Sequence, residues 1–95
     1  MNYYTIYINH CLRFYIRHQN PKFHSIVDKE NWNACDYVFK GLTRERQKMI
    51  TYIYQEDSIT ERVEKYAEIN KTTNGSVWKA LDKVTKEIAR RRGLL

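Results

Sequence analysis

A group of polar residues around position 75 offers the side chains best suited to recognition chemistry. Thr73, Asn74 and Ser76 carry hydroxyl or amide groups, and the cations Lys79 and Lys83 follow them. The two lysines are four residues apart, so they share one face if this stretch is helical. A lysine donates hydrogen bonds to phosphate oxygens or to O6 and N7 of guanine, and an asparagine pairs with adenine. These groups therefore predict binding to a polyanion rather than bond breaking.

Several of these residues also have a structural alternative. Asn74 stands near a helix start, where an asparagine caps the helix more often than it reads a base. Further along, Lys86, Arg90 and Arg91 continue the basic run, and the dipole at a helix C-terminus favours positive charge with or without a ligand. Together with the two earlier lysines they form a basic face that a solvated helix does not require. We therefore include all of them in the predicted binding surface.

Candidate metal ligands and catalytic groups are sparse. The soft ligands are His10, Cys11, His18, His24 and Cys35. No two of them have the CxxC or HxxxH spacing of a zinc site. A Gly-rich phosphate loop and a nucleophile elbow are also missing from the sequence. We therefore predict no metal, no cofactor and no enzymatic activity.

The length and charge of the chain suit a small basic binding module. Its 95 residues fit one domain, and its net charge is +6. Residues 1–24 contain bases and no acid, and residues 76–95 carry four more bases than acids. Such basic ends favour a nucleic-acid partner, although a basic surface that only keeps the protein soluble is the simpler alternative.

The sequence also bears on the compartment of the protein. No apolar stretch is long enough to span a membrane and no signal peptide opens the chain, so we expect a cytoplasmic protein without a membrane partner. Cys11 and Cys35 are expected to be buried free thiols, and a disulfide between them is left open.

The elements that position these residues are predicted to be helices. Only three Gly and one Pro occur, which disfavours a turn-rich β-sandwich. In the Tyr-rich segment 1–20, Tyr4, Ile8, Cys11 or Leu12, and Tyr15 recur at helical spacing. Residues 3–8 are also strong strand formers, so a strand, or pairing with another chain, is the alternative there.

Capping residues predict where the later helices begin. Asp28 is the expected N-cap of the second helix, and Thr43 is that of the third. Ser58 and Glu61 have the spacing of a reciprocal capping box at the start of the fourth. The residues expected to face the core from the fourth helix are Val63, Tyr66 or Ala67, and Ile69.

The fifth helix is predicted to run from about Gly75 to Arg92. Its expected inward residues are Val77, Leu81, Val84 or Thr85, and Ile88. Gly93 should end the helix and let Leu94 and Leu95 pack back onto the core. The sequence thus predicts an all-α fold of about five helices in one small bundle, residues 1–95. Residues 1–42 would form Tyr-rich helices and residues 43–95 the part with a C-terminal helix-turn-helix.

One stretch, residues 63–92, combines the features of a known motif. The residues that carry it are Val63, Ala67, Val77, Leu81 and the run Ala89-Arg90-Arg91-Arg92-Gly93-Leu94. The stretch resembles the helix-turn-helix of bacterial sigma factor region four and of small sigma-like regulators of prophages and conjugative elements. Ala67 is small where the two helices cross, and Val77 follows at the usual distance. The motif usually has an apolar residue and then a glycine where this chain has Asn70 and Lys71.

The resemblance implies a sequence-specific DNA-binding protein, a transcriptional regulator from a phage or mobile element. The helix starting near Gly75 would enter the major groove of double-stranded DNA, and RNA polymerase or another protein would be a further partner. The residues that we assign to the DNA surface are Thr73, Asn74, Ser76, Lys79, Lys83, Lys86, Arg90 and Arg91.

A second interpretation is a protein-binding module, such as a phage-encoded inhibitor of a host nuclease. The Tyr-rich first segment favours it, because Tyr and Trp anchor protein interfaces more often than DNA interfaces. The same segment could also join two copies of the chain in a homodimer. Inhibitors that imitate DNA are acidic, and the net charge of +6 argues against that route.

Overall fold

The computed structural model describes residues 3–95, and these residues form five α-helices and no strand. The helices are α1 (Tyr3–Arg17), α2 (Ile26–Lys40), α3 (Arg44–Tyr54), α4 (Ile59–Ile69) and α5 (Asn74–Arg91). The predicted all-α fold of about five helices is confirmed. The strand alternative for the Tyr-rich segment is wrong for residues 3–17, and its first two residues lie outside the described part of the chain.

Burial on one face explains why α1 is a helix although its residues favour strands. Ile8, Leu12 and Tyr15 are at most 2% exposed, and Cys11 and Ile16 also lie in the core. A strand would turn alternate residues to opposite faces, whereas these residues recur at spacings of three and four. The apolar stripe of an amphipathic helix therefore outweighs local β propensity in this segment.

Serine and threonine side chains cap the helices. Thr43 and Ser58 each accept a hydrogen bond from the amide three residues later, at 3.2 and 3.3 Å, as predicted. The predicted Asp28 cap is wrong, because Ser25 caps α2 by accepting from the Asp28 amide at 3.1 Å. Within residues 3–95 the Glu61 carboxylate accepts no return bond from the Ser58 amide, so only half of the predicted capping box forms.

Two expectations for apolar residues near helix ends are wrong. Ile69 is 67% exposed, because it lies two residues, or roughly 200°, around α4 from the buried Ala67. Leu94 and Leu95 are 46% and 56% exposed. The Leu94 amide donates to the Ala89 carbonyl at 2.8 Å, which holds the chain end at the tip of α5 instead of over the core.

Helix α5 lies at the centre of the bundle. It packs against α1, α2 and α4, while α3 packs against α4 and α1. The helix begins and ends one residue earlier than predicted, and its predicted inward residues are all buried. The buried residues of α5 are Val77, Ala80, Leu81, Val84, Thr85, Ile88 and Ala89. Helices α4 and α5 are joined by residues 70–73 and form the predicted helix, short turn and helix.

A polar junction ties α1, α2 and the end of α5 together. Asn31, only 9% exposed, donates from Nδ2 to the Tyr7 hydroxyl at 2.6 Å. Its Oδ1 accepts a hydrogen bond from Nε of Arg92 at 2.7 Å, and Arg92 also donates to Glu30 at 2.9 Å. Because a buried amide that loses its partners is costly, this junction fixes where α5 ends against α2.

The two cysteines are buried free thiols in the core, as expected. Burial raises the pKa of Cys11 to about 11, against a partly opposing effect of the Arg92 charge. Burial also raises the pKa of Cys35 far above its usual value. Both thiols therefore stay protonated at neutral pH, which makes them poor nucleophiles.

Candidate nucleic-acid interface

The turn between α4 and α5 sets the position of the basic first half of α5. Asn70 ends α4, and Lys71 follows with φ of 53°, in the left-handed region. The Lys71 amide donates to the Glu68 carbonyl at 3.3 Å, and the Thr72 amide donates to the Ala67 carbonyl at 2.9 Å. This pair of bonds is the Schellman motif, which usually has glycine at the left-handed position. Lys71 thus holds a conformation that glycine adopts more easily.

The first turn of α5 presents three exposed polar residues. Thr73 is the N-cap: its Oγ1 accepts from the Ser76 amide at 3.1 Å and donates to Ser76 Oγ at 2.9 Å. Asn74 is the first helical residue, so the alternative that its side chain caps the helix is wrong. All three residues are exposed, and within residues 3–95 the Asn74 side chain forms no hydrogen bond.

Lys79 and Lys83 lie one turn apart on an open side of α5. Both are exposed, and neither forms an ion pair with any residue between 3 and 95. One turn before them, a Cβ added at Gly75 would meet no atom within 4 Å, so this side of the helix faces solvent. Two cations with no internal partner can meet a polyanion without first giving up a contact in the protein.

Two of the later cations predicted for this surface are engaged along the helix itself. Lys86 forms an ion pair with Asp82 at 2.9 Å, and the hydrogen bond to that carboxylate raises the pKa of Lys86. Arg90 forms an ion pair with Glu87. Each of these cations has an acidic partner three or four residues before it, which Lys79 and Lys83 do not have among residues 3–95.

The last arginines of α5 contact α2. The guanidinium carbon of Arg91 lies 3.4 Å from the centre of the Tyr37 ring, which is a cation–π contact. Arg92, which follows it, is bound to Asn31 and Glu30. Arg91 is exposed but, unlike Lys79 and Lys83, already has a contact within the protein.

Sequence reasoning missed Arg46 as a neighbour of the first turn of α5. Arg46 is an exposed residue of α3 that lines, with Thr72 and Ser76, a pocket of about 270 Å³. Arg46 lies far from these residues in the sequence, and the only sequence feature that pointed to it is the basic character of the start of α3. The fold thus adds a guanidinium to the end of α5 that carries the exposed polar residues.

Trp78 stands beside Lys79 and is 37% exposed. It lines a shallow pocket with Thr5 and Asn9 of α1 and with Tyr54, the last residue of α3. The Trp78 side chain therefore borders residues of α1 and α3 and stays partly exposed.

Within residues 3–95, no three His, Cys, Asp or Glu side chains come close enough together to hold a metal ion. Among the described helices, none combines the length and the apolar character needed to cross a bilayer.

No family model matches the chain, and neither does a curated protein or a solved structure. The interpretation of this surface therefore depends on its own geometry and charge.

Proposed function

We propose that this protein binds double-stranded DNA sequence-specifically by inserting the first half of α5 into the major groove. The observation that carries the proposal is the pair Lys79 and Lys83, exposed on one open helix face with no ionic partner among residues 3–95. A paired lysine must exchange one contact for another when it meets a phosphate. An unpaired lysine releases counterions from DNA without that exchange.

The first turns of α5 also supply groups that discriminate between bases. An α-helix fits the major groove, and its N-terminal residues reach the base edges. The Asn74 amide can pair with N6 and N7 of adenine, and Lys79 and Lys83 can donate to O6 and N7 of guanine. Thr73 and Ser76 are exposed at the helix N-terminus, where hydroxyls and amides bind phosphate oxygens.

Cations outside α5 support the same orientation. Arg46 shares a pocket with Ser76, and Lys71 lies in the turn that precedes α5. Both are exposed residues at the edge of the proposed helix insertion, where side chains usually contact the DNA backbone. We assign them to phosphate contacts that fix the register of α5 in the groove.

The resemblance of residues 63–92 to sigma factor region four favours a role in transcription. On this proposal the protein is a regulator from a phage or mobile element in the cytoplasm of a bacterial host, with RNA polymerase as a further partner. The later cations Lys86, Arg90 and Arg91 then have a smaller role in DNA binding than the sequence suggested, because each has a partner in the protein.

Selection of duplexes from a randomised pool tests the proposal. The full chain should enrich a short motif, and changing one base pair of that motif should weaken binding about tenfold, as for a lost base contact. The Lys79→Ala/Lys83→Ala variant should bind the selected and scrambled duplexes almost equally. Absence of binding to any duplex at low salt would overturn the proposal, and so would binding with no enriched motif.

A second candidate function is a protein-binding module, such as an inhibitor of a host nuclease. It is favoured by the exposed apolar side chains of α1 and α2, among them Ile6 and Ile26 at 61% and 76% exposure. A protein-binding function does not explain why Lys79 and Lys83 are exposed without an ionic partner, so we rank DNA binding first. Titration of a nuclease partner against variants at Ile6 and at Lys79 would separate the two functions.

A further inference from the structure

A cavity between α1 and α2 is lined by aromatic rings. Phe14 of α1, Phe23 of the segment that joins the two helices and Trp32 of α2 border a space of about 290 Å³. Parts of both helices and of their connection therefore surround it. The volume is close to the lower end of the range for small-molecule sites, about 300–1,000 Å³. A ligand of this cavity would therefore be small.

Contacts within the protein hold the aromatic wall in place before any ligand binds. Trp32 donates a hydrogen bond from Nε1 to the His18 carbonyl at 3.0 Å. Its ring meets the Tyr15 ring edge-on, with 5.0 Å between the ring centres, and meets the Phe23 ring in the same way at 6.0 Å. Because these contacts fix the Trp32 ring, little side-chain freedom is lost when a flat ligand packs against it.

Asn31 brings a buried amide to the same cavity, and it is only 9% exposed. The amide donates one hydrogen to the Tyr7 hydroxyl and accepts one from Arg92. One further N–H and one further lone pair of this amide have no partner among residues 3–95. A ligand that displaces water from a buried amide must replace the lost hydrogen bonds, or affinity falls. The ligand should therefore combine a flat ring with a hydrogen-bonding edge.

The exposed rim of the cavity carries one full charge of each sign. Lys22 and Asp28 both line the cavity and are exposed, and neither forms an ion pair within residues 3–95. A carboxylate can accept hydrogen bonds from ribose hydroxyls, and a lysine binds phosphate as a point charge. A flat ring with a hydrogen-bonding edge, a ribose and a phosphate are the parts of a nucleotide.

We propose that this cavity binds one purine nucleoside monophosphate. The base stacks on Phe14 and Trp32, as unpaired bases do on aromatic side chains. Asn31 hydrogen-bonds the edge of the base, since a primary amide matches N6 and N7 of adenine. Asp28 accepts from the ribose, and Lys22 contacts the phosphate. The site contains no residue of α5, so it does not depend on the proposed DNA binding.

Titration of the full chain with AMP, followed through the indole N–H signals in nuclear magnetic resonance spectra, tests the proposal. The chain has two tryptophans: Trp32 lines the cavity, whereas Trp78 lies on α5, and a Trp78→Phe variant assigns the two signals. The Trp32 signal should shift saturably, with a dissociation constant of about 1 mM or lower. The Trp78 signal should stay in place. Ribose 5-phosphate, which lacks the base, should shift neither signal.

Variants of exposed residues test the assigned contacts. Phe14→Ala should weaken AMP binding about fivefold or more, because the base loses a stacking partner. Tyr37→Ala is the matched control and should bind AMP like the wild type, because Tyr37 is also an exposed aromatic residue but does not line the cavity. Lys22→Ala should weaken the binding of AMP and leave the binding of adenosine unchanged.

A Trp32 signal that AMP does not shift would overturn the proposal, and so would an equal shift with ribose 5-phosphate. A larger shift of Trp78 than of Trp32 would also overturn it, because AMP would then bind at the basic surface of α5. A short oligoadenylate that shifts Trp32 at lower concentration than AMP would contradict a free nucleotide as the occupant. These titrations use the wild-type chain, so they decide the proposal even if a variant fails to fold.

Discussion

The two ends of α5 carry similar positive charge but are placed in opposite ways. Nearer the N-terminus of α5, Lys79 and Lys83 are exposed and have no ionic partner among residues 3–95. At its C-terminal end, Arg91 lies over the Tyr37 ring, and Arg92, just after the helix, is bound to the buried Asn31. The difference shows that the number of cations on a helix does not locate a binding surface. Cations that already contact other residues of the protein must be distinguished from those that do not.

The residues that flank α5 also differ between its two ends. Lys71, before α5, and Gly93, after it, both hold the left-handed conformation, with φ of 53° and 74°. Both close Schellman motifs, since the Leu94 amide bonds back to Ala89 as the Thr72 amide does to Ala67. Only the turn after α5 has glycine at this position, and glycine adopts the left-handed conformation without strain.

Arg92→Ala should have the largest effect on stability. The change removes the partner of the buried Asn31 Oδ1 and the contact to Glu30, so we expect a loss of about 2 kcal/mol in the free energy of unfolding. Urea denaturation measures it. Arg90→Ala is the control, because its ion pair with Glu87 is exposed and contributes little. Equal losses in the two variants would contradict the structural role given to Arg92.

Alkaline pH should reveal the burial of Cys11 through a smaller effect. Its pKa rises from a usual value of 9.0 to about 11 in the folded protein. The unfolded chain therefore loses this proton first, and the stability from the protonated thiol is full below pH 9 and declines towards pH 11. One such group changes stability by at most about 1.4 kcal/mol per pH unit.

The Cys11→Ala variant should show a shallower decline between pH 9 and pH 10 than the wild type. Arg92→Ala should extend the decline above pH 11, because the Arg92 charge holds the Cys11 pKa down. Denaturant midpoints at each pH are the measurement. Equal slopes in Cys11→Ala and the wild type would mean that Cys11 is not desolvated, and an unchanged upper end of the decline in Arg92→Ala would mean that the Arg92 charge does not act on Cys11.

Lys71→Gly should have the smallest effect and the opposite sign. Glycine holds the left-handed conformation with less strain than lysine, so the thermal midpoint should rise. The gain corresponds to about 0.5–1 kcal/mol in the free energy of unfolding. Gly93→Ala, at the matching position after α5, should cost about 1 kcal/mol although its Cβ would meet no atom within 4 Å. If both substitutions changed stability in the same direction, the two turns would not be equivalent.

Helix positions were largely predictable because local signals agreed with burial. Thr43 and Ser58 cap helices as expected, and the inward residues of α5 recur at the spacing read from the sequence. The start of α2 was not predictable, because Ser25 and Asp28 are both good caps one turn apart. The choice depends on the preceding loop, which the fold holds by a hydrogen bond from Trp32 to the His18 carbonyl at 3.0 Å.

The candidate site was only partly predictable for a related reason. The pairing of Lys86 with Asp82 has helical spacing and could have been read from the sequence. The contact of Arg91 with Tyr37 and the approach of Arg46 to Ser76 join residues distant in sequence, so only packing reveals them. Local patterns thus located helix α5, and tertiary contacts decide which of its cations have partners within the protein.

DNA binding by two matched double variants across a salt series shows whether the open lysine pair is the binding surface. Lys79→Ala/Lys83→Ala and Lys86→Ala/Arg90→Ala each remove two positive charges from α5. We expect the first variant to weaken binding at least about tenfold and to lower the slope of log affinity against log salt by about 2, while the second changes the slope by less than about 0.5. Equal effects of the two variants, or a larger effect of the second, would contradict the claim that the open lysine pair is the binding surface.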